Sequence, residues 1–433
     1  MLDVNLIRKD PEAIKKGIAA KNVDPALVDR FLDLDGKWRE LVQKVDGVRA
    51  ALNSLSKERK IDEAKVVKQQ LKDLEKDLPD LENNRMTALT ALPNPPLLDV
   101  PVGKDETANV VLREVGKKPQ FNFPAKDYIE LGQRLDLIDT ERAGKVSGSR
   151  FGYIKREAAL LEFALVKLAT DLVTSEKELK KIIKAQKLSI APTPFIPIIP
   201  PVLIKPESMK AMGYAERGGD EIYFIEKDQL YLVGTSEQSI GPMHMGETFE
   251  KKNLPVRYLG FSSCFRREAG SYGKDTKGIL RVHQFDKLEM FTICAPENSV
   301  EEHKLLLAIE EKLMQLLELP YHVLSICSGD LGDPAAAKYD IEAWLPAQNE
   351  GRGQYRETHS TSNTTDYQAR RLNIKHRTSN TEHSTEYVHM LNGTAFAIGR
   401  MLIAILENYQ TKSGSIKIPK ILRRYSGLKE IKR

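Results

Sequence analysis

Residues 27–55, LVDRFLDLDGKWRELVQKVDGVRAALNSL, set Leu27, Phe31, Leu34, Trp38, Leu41, Val45, Val48, Leu52 and Leu55 at alternating steps of four and three. Apolar residues at that rhythm make a heptad seam, the stripe by which one helix packs along another. Asp24-Pro25 is a suitable start, with proline at the first helical position. A second run, Val67, Leu71, Leu74, Leu78, Leu81, Arg85, Ala88 and Leu92, repeats the rhythm, with Arg85 as its one polar member. The polar stretch Ser56–Asp62 between them is short enough to reverse the chain. The spacing therefore predicts an antiparallel helical hairpin over about 27–92, its two seams facing each other. At 1.5 Å per residue, an arm of about 35 residues reaches roughly 50 Å. Pro79, inside the second helix, is expected to kink it or end it early.

Charge is uneven along this hairpin. Residues 49–72 carry seven basic side chains (Arg49, Lys57, Arg59, Lys60, Lys65, Lys68 and Lys72) against three acidic ones, a net of +4. The flanking stretches 27–48 and 73–92 carry −1 and −3. A neutral arm thus has a basic tip. That pattern fits a solvated helix surface, and it equally fits a lever presenting positive charge to a phosphate backbone.

At 433 residues the chain exceeds what one hydrophobic core serves, so two domains are expected. Pro93-Asn94-Pro95-Pro96 stops the second helix and opens a linker. That puts one domain at 1–100 and another at 101–433. Beyond the linker come short strand-like runs, among them Thr193–Ile204 and Val256–Arg266, and amphipathic helices such as Ala158–Leu172. They do not alternate regularly, which predicts an α+β fold on an antiparallel sheet.

The 41% apolar and 29% charged composition excludes disordered, collagen-like and disulfide-stapled classes. A net charge of +5 neither demands nor excludes a nucleic-acid partner. Cys264, Cys294 and Cys327 form no CxxC pair and read as buried small hydrophobes in a reducing compartment. Asp3 stands where a secretory signal needs a basic and then apolar run, and no apolar stretch approaches a membrane span. A cytoplasmic soluble protein is expected.

The densest chemistry lies in 261–291, FSSCFRREAGSYGKDTKGILRVHQFDKLEMF. Strand alternation would place Cys264, Arg266 and Glu268 on one face, and Arg281, His283, Phe285, Lys287 and Glu289 on one face of the next run. The glycine-rich, basic loop 270–278 suits a hairpin closing over a phosphate substrate. Phe285 offers a stacking platform, and Glu289 falls about 13 Å farther along at ~3.3 Å per residue, near the length of a nucleotide. A site holding ATP and a small amine end to end fits this better than paired surface charges alone do.

Phe265-Arg266-Arg267-Glu268 resembles the second signature of class II aminoacyl-tRNA synthetases. Asn392-Gly393-Thr394 through Gly399-Arg400 resembles their third. GILRVHQFDKLEMF, LGDPAAAKYDIEAWLPAQ, TSNTTDYQARRLNI, LNGTAFAIGRMLIAILENYQ and the start MLDVNLIRKDPEAI are specifically similar to the seryl-tRNA synthetase family, over nearly the whole chain.

The resemblance implies a class II catalytic domain that joins serine to ATP and passes it to the 3′ end of tRNA(Ser), with tRNA(Sec) as a further candidate. Catalysis would rest on Arg266, Glu289 and Arg400, with Arg266 at the α-phosphate. The ATP site would comprise Arg266, Arg267, Glu268, Arg281, Phe285, Glu357, Thr358, His359, Ser360 and Arg400. In it Phe285 and Arg400 sandwich adenine, while Arg281 and Arg400 hold the bent triphosphate. Glu357 and Ser360 would hold Mg²⁺, and no zinc is expected. L-serine would lie among Thr235, Ser236, Glu237, Arg266, Glu289 and Thr394. The family more often has alanine where Ser236 stands and serine where Thr394 and His359 stand.

The family's first signature resembles Leu160–Leu172 with Ile198–Val202, and implies a homodimer with Pro201 at its interface. The arm, through Arg49, Lys57, Arg59, Lys60, Lys65, Lys68 and Lys72, would grip tRNA. His283 could serve as a base, but a carboxylate attacker needs none, so a structural hydrogen bond is the better expectation. Ser360 and Thr394 would otherwise read as strand-end caps. Two rivals are another ATP-dependent amino-acid ligase on the same scaffold and a non-catalytic RNA-binding coiled-coil protein. The intact set Arg266, Glu268, Arg281, Glu289, Glu357 and Arg400 argues against the second.

Overall fold

The structure, a computed structural model, describes residues 1–214, 221–269, 277–378 and 384–433. The chain divides into two compact units, Met1–Pro96 and Leu97–Arg433.

In the first unit, α1 (Val4–Lys9) and α2 (Pro11–Ala19) precede the long helices α3 (Ala26–Lys57) and α4 (Ile61–Thr90). Asp3 and Asp10 cap the two short helices by accepting backbone N–H bonds in their first turns. Every seam residue from Leu27 to Leu55 and from Val67 to Leu92 is buried or half-buried, so the heptad rhythm does face the partner helix. Arg59, at φ 57°, turns the chain between the helices.

Pro79 does not end α4, which continues to Thr90. An interior proline costs about 3 kcal/mol. Seam contacts on both sides of it, from Leu74 and Leu78 through Leu81 to Leu89, keep the helix going.

Near the base of the hairpin, Asp35 is 1% exposed and gathers cations from three helices. Arg85 Nε donates to Asp35 Oδ1 at 2.7 Å, and Arg8 Nε donates to Oδ2 at 2.8 Å. The Arg85 guanidinium also lies 4.4 Å from the Trp38 ring centroid. The polar interruption of the second seam is therefore a satisfied buried ion pair. At the tip, Arg49 is tied to Glu75 at 2.7 Å, and Lys60 and Lys65 pair locally with Glu58 and Asp62. Lys57, Arg59, Lys68 and Lys72 are exposed.

The second unit is built on β1 (Val110–Val115), α5 (Arg156–Val173), β2 (Ile196–Ile198), β3 (Val256–Phe265), β4 (Gln284–Cys294) and α6 (Ser299–Leu316). It continues through β5 (Tyr321–Ser325), β6 (Ala337–Leu345), β7 (Gln354–Asn363), β8 (His389–Ala397) and α7 (Ile398–Asn408). The strands form one eight-stranded sheet in the order β1-β5-β6-β7-β8-β4-β3-β2. All its pairs are antiparallel except β2 with β3. The fold is α+β, as expected.

The run 193–204 is not one strand. Its prolines Pro200 and Pro201 separate β2 from a second short strand at Leu203–Ile204, because proline donates nothing to a ladder. Helices α5, α6 and α7 pack on one face of the sheet, where Leu165, Leu305, Ile309, Leu402 and Ile405 join the main core. Apolar nearly all round, α7 is buried nearly all round. Arg257 on β3 and Glu302 on α6, both fully buried, lock sheet to helix through a bidentate pair at 2.6 and 2.9 Å. All three cysteines are buried and free. Among the described residues no helix is long and apolar enough to cross a membrane.

The Asp35 cluster makes a stability prediction. Asp35→Ala leaves the buried Arg85 without its carboxylate and should destabilise the first unit by about 3–5 kcal/mol. Urea unfolding followed by Trp38 fluorescence, in a Trp344→Phe background, reads this directly.

Candidate active site

The face of the sheet opposite α6 carries a cleft of about 600 Å³. Its floor comes from alternate residues of β4, β7 and β8, but strict alternation does not explain which side chains arrive there. On β7 the register against β6 slips: His359 pairs with Ile341, yet Glu357 pairs with Glu342, so Thr358 is an extra residue. On β8 Phe396 pairs with Leu288, yet Thr394 pairs with Glu289, so Ala395 is extra. Each bulge resets the pleat. Glu357 and Ser360, three apart, thereby both line the cleft, as do Thr394 and Ala397.

Arg266 and Glu268 reach the cleft by a different route from the expected one. β3 ends at Phe265, and Cys264 is fully buried, so no continuous strand face carries all three. Arg266 Nε instead donates to the Gly234 carbonyl at 3.2 Å, and its guanidinium lies 5.3 Å from the Phe285 ring centroid. Glu268 sits at φ 52° and accepts from Arg281 Nη1 at 3.1 Å. Arg281 and His283 likewise precede β4, which begins at Gln284. His283 does not line the cleft. Its Nδ1 lies 3.1 Å from the Arg266 carbonyl, and its ring packs near Phe151 and Tyr223. Residues 270–276 of the basic loop lie outside the described residues.

One end of the cleft is a compact set of buried polar groups. Glu289 accepts from Lys287 Nζ at 2.6 Å and from Thr394 Oγ1 at 3.3 Å. Lys287 Nζ also donates to Thr235 Oγ1 at 3.3 Å. Glu237 accepts from the Tyr214 hydroxyl. Burial, with the charge of Glu289 nearby, pushes the Glu237 carboxyl up to about 7. Burial also raises Glu289, against the opposing pull of Lys287. Two carboxyls facing one lysine and flanked by hydroxyls can take a ligand that brings its own ammonium and a hydroxyl donor.

The other end is cationic. Arg266, Arg281, Arg400 and Lys338 line it together with Phe285 and Gly399. Arg400 Nη1 donates to the Glu357 carbonyl at 2.9 Å and meets its carboxylate at 3.1 Å. Burial alone would raise Glu357, but Arg400 and Lys338 hold its carboxyl down at about 2. Guanidinium groups, one of them over an aromatic ring, beside an ionised carboxylate suit a polyphosphate with a planar base.

Of the residues expected here, Thr235, Glu237, Arg266, Glu268, Arg281, Phe285, Glu289, Glu357, Thr358, Ser360, Thr394 and Arg400 line the cleft. Ser236, Arg267 and His359 do not. Ser236 is fully buried, and Arg267 lies over the Tyr223 ring at 5.6 Å. His359, pairing opposite Ile341, turns into the core near Phe396, and burial pushes its imidazole down to about 3. Sequence reasoning missed Tyr214 and Gln238, whose Oε1 accepts from the Gly234 N–H at 2.8 Å. Neither carries a strand or helix signal. It also left Lys287 and Lys338 without roles, although each shares a strand face with a neighbouring acid two residues on.

Comparison with known proteins shows the family and the fold. Residues 1–96 match the family described as seryl-tRNA synthetase N-terminal domain, and residues 223–409 match the tRNA synthetase class II core domain (G, H, P, S and T). A serine–tRNA ligase of Dictyoglomus turgidum is 45% identical over 445 aligned positions, covering 100% of this chain and 99% of the relative. A seryl-tRNA synthetase from Pyrococcus horikoshii, solved with ATP, superposes with a TM-score of 0.88 at 38% identity, covering 100% of this chain and 99% of that one. A cytoplasmic serine–tRNA ligase from Naegleria fowleri, solved with AMP, gives 0.86 at 33% identity, with the same coverage.

The carboxyl pair has a measurable signature. Glu289→Gln removes the neighbouring negative charge, so the Glu237 carboxyl should titrate lower than about 7 while burial keeps it above an ordinary glutamate. Carbon-detected NMR titration of labelled glutamates checks both the starting value and the direction.

Proposed function

The chain belongs to the seryl-tRNA synthetase family, and from that membership we propose how its cleft performs the two steps of serine–tRNA ligation. ATP and L-serine react to seryl-adenylate and pyrophosphate, and the seryl group then passes to the 3′-terminal ribose of tRNA(Ser). The single observation that carries the assignment of roles is the polarity of the cleft: paired buried carboxyls at one end, three arginines with Phe285 at the other.

Serine's ammonium and hydroxyl meet Glu237, Glu289, Thr235 and Thr394. Its carboxylate then faces the α-phosphorus of ATP. A carboxylate oxygen–phosphorus bond forms as the bond to the β-phosphate oxygen breaks, and pyrophosphate leaves with that electron pair. Arg266, fixed by the Gly234 carbonyl, donates to the α-phosphate oxygens where negative charge builds. Phe285 and Arg400 enclose adenine, and Arg281 and Arg400 hold the bent triphosphate. No protein base is required, because the attacking group is already ionised. In the second step a ribose hydroxyl attacks the seryl carbonyl and AMP departs.

Glu357 and Ser360 are fit to hold Mg²⁺. Both line the cleft from β7, and Glu357 is held ionised. When bound, the ion neutralises and orients the leaving pyrophosphate. Alanine lacks the hydroxyl that pairs with the buried acceptors, a loss that can discriminate by ~10⁴ or more.

The division of labour we propose gives tRNA binding to residues 1–100 and chemistry to 101–433. In the arm, Lys57, Arg59, Lys60, Lys65, Lys68 and Lys72 meet RNA phosphates, read by shape and backbone. Arg49, already engaged by Glu75, has a smaller part. A homodimer is supported by exposed Leu160 and Phe163 on α5 and exposed Ile196 and Ile199 at β2. Three free buried cysteines support a cytoplasmic setting.

Amino-acid-dependent ATP–pyrophosphate exchange across the full amino-acid panel tests the chemistry. Strong exchange is expected with serine, and exchange with proline or threonine instead would overturn the assignment. For the arm, replacing Lys57, Arg59, Lys60, Lys65 and Lys68 by glutamine should leave exchange intact and slow charging at limiting tRNA(Ser) by roughly tenfold or more at physiological salt. Repeating the charging assay with tRNA(Sec) shows whether that tRNA is also a substrate.

A further inference from the structure

Lys338 lines the cationic end of the cleft and has no role in the scheme above. Lys338 lies on β6, where the register sets it opposite Ser362 and sets Asp340 opposite Ser360 on β7. Residues two apart on a strand share a face, so Lys338 and Asp340 stand side by side above the sheet. Lys338 Nζ meets Asp340 Oδ2 at 3.0 Å, which anchors a flexible stem in one place. Its side chain is 24% exposed and lines the cleft, so the ammonium is neither sealed in the core nor free in solvent. Its charge acts on Glu357, second only to that of Arg400 among the groups holding that carboxylate ionised.

We propose that Lys338 is a further phosphate-binding residue of this cleft, its ammonium held by Asp340 in the cationic lining to receive the pyrophosphate leaving group. This rests on the adenylate-forming reading given above. An ammonium has three donors, and Asp340 occupies one at 3.0 Å. The remaining donors are left for a ligand in the cleft that both Lys338 and Glu357 line. A lysine is a compact, rotatable point charge, suited to oxygens that move as the leaving group separates. Lys338 keeps its proton throughout; it stabilises the charge that the departing phosphate carries away. Arg281 and Arg400, planar and paired with Glu268 and Glu357, hold the triphosphate before reaction, and Lys338 adds a movable charge for the group that leaves. A lysine that served only to neutralise Asp340 would be indifferent to pyrophosphate.

The test compares Lys338→Gln and Lys338→Thr with the unaltered protein; threonine is the strand-favouring choice, and Lys338→Gln with Asp340→Asn removes both charges together should either single variant unfold. Three quantities are measured: the KM for pyrophosphate in serine-dependent exchange, the KM for serine, and the transfer of serine from preformed enzyme-bound adenylate to tRNA(Ser). Losing one charge-assisted hydrogen bond should raise the pyrophosphate KM about ten- to a hundredfold. The serine KM and the transfer rate should stay within about twofold, because pyrophosphate has left before transfer. Calorimetric titration with imidodiphosphate should show the same loss of affinity without turnover. A pyrophosphate KM within twofold of the unaltered protein in a folded variant overturns the inference, as does an equal loss in the transfer step. Absence of serine-dependent exchange in the unaltered protein is a different result: it overturns the adenylation reading itself.

Discussion

A β-strand shows alternate residues to alternate faces, and the active face of this sheet depends on two places where that rule is reset. The extra residue Thr358 in β7 and the extra residue Ala395 in β8 each turn a spacing of three into a shared face. Without the first, Glu357 would point away from Ser360. Without the second, Thr394 would not stand opposite Glu289 while Ala397 also reaches the cleft. Both bulges lie on adjacent central strands, and His359 and Phe396 next to them fill the core side with ring centroids 5.8 Å apart. The deformation that opens the cleft on one face is thus packed against apolar and aromatic groups on the other.

The second organising constraint is the cost of burying charge. Glu237 and Glu289 are nearly inaccessible, and so are their partners Lys287 and Thr394. Left unpaired, such carboxyls would be driven to protonate or would destabilise the fold. Here one lysine, the Thr394 hydroxyl and the Tyr214 hydroxyl satisfy them in part. The arrangement remains short of positive charge, which is the property a site for an amino acid's ammonium needs. At the opposite end Arg266, Arg281, Arg400 and Lys338 line the cleft, and Glu268 and Glu357 fix two of the arginines in place. The fully buried Arg257–Glu302 pair has a simpler task, fastening β3 to α6 behind the cleft.

The helical arm follows the same physics with a different outcome. Its seam is continuous enough to carry α4 through Pro79, and its one buried acid, Asp35, is matched by Arg8 and Arg85. Toward the tip the apolar residues become half-buried and the basic side chains exposed. Net charge is a poor guide to such a surface. The chain totals +5, while residues 49–72 alone carry +4.

Repeating local patterns were legible in the sequence by itself. The heptad seam specified both long helices and their antiparallel pairing, because its period depends only on neighbours along one helix. Signature segments around Arg266 and Arg400 identified the chemistry, and irregular strand and helix order identified the α+β class. What alternation alone assigned wrongly is instructive: Arg266, Glu268 and Arg281 lie beyond strand ends, where no period of two applies. Tyr214, Gln238 and the inward turn of His359 were invisible, since each depends on partners far away in the chain. Only the tertiary structure could decide these, because a bulge, a strand end and a cross-strand contact are properties of register. Register is set by how whole strands bury their faces together, not by the residues of any one of them.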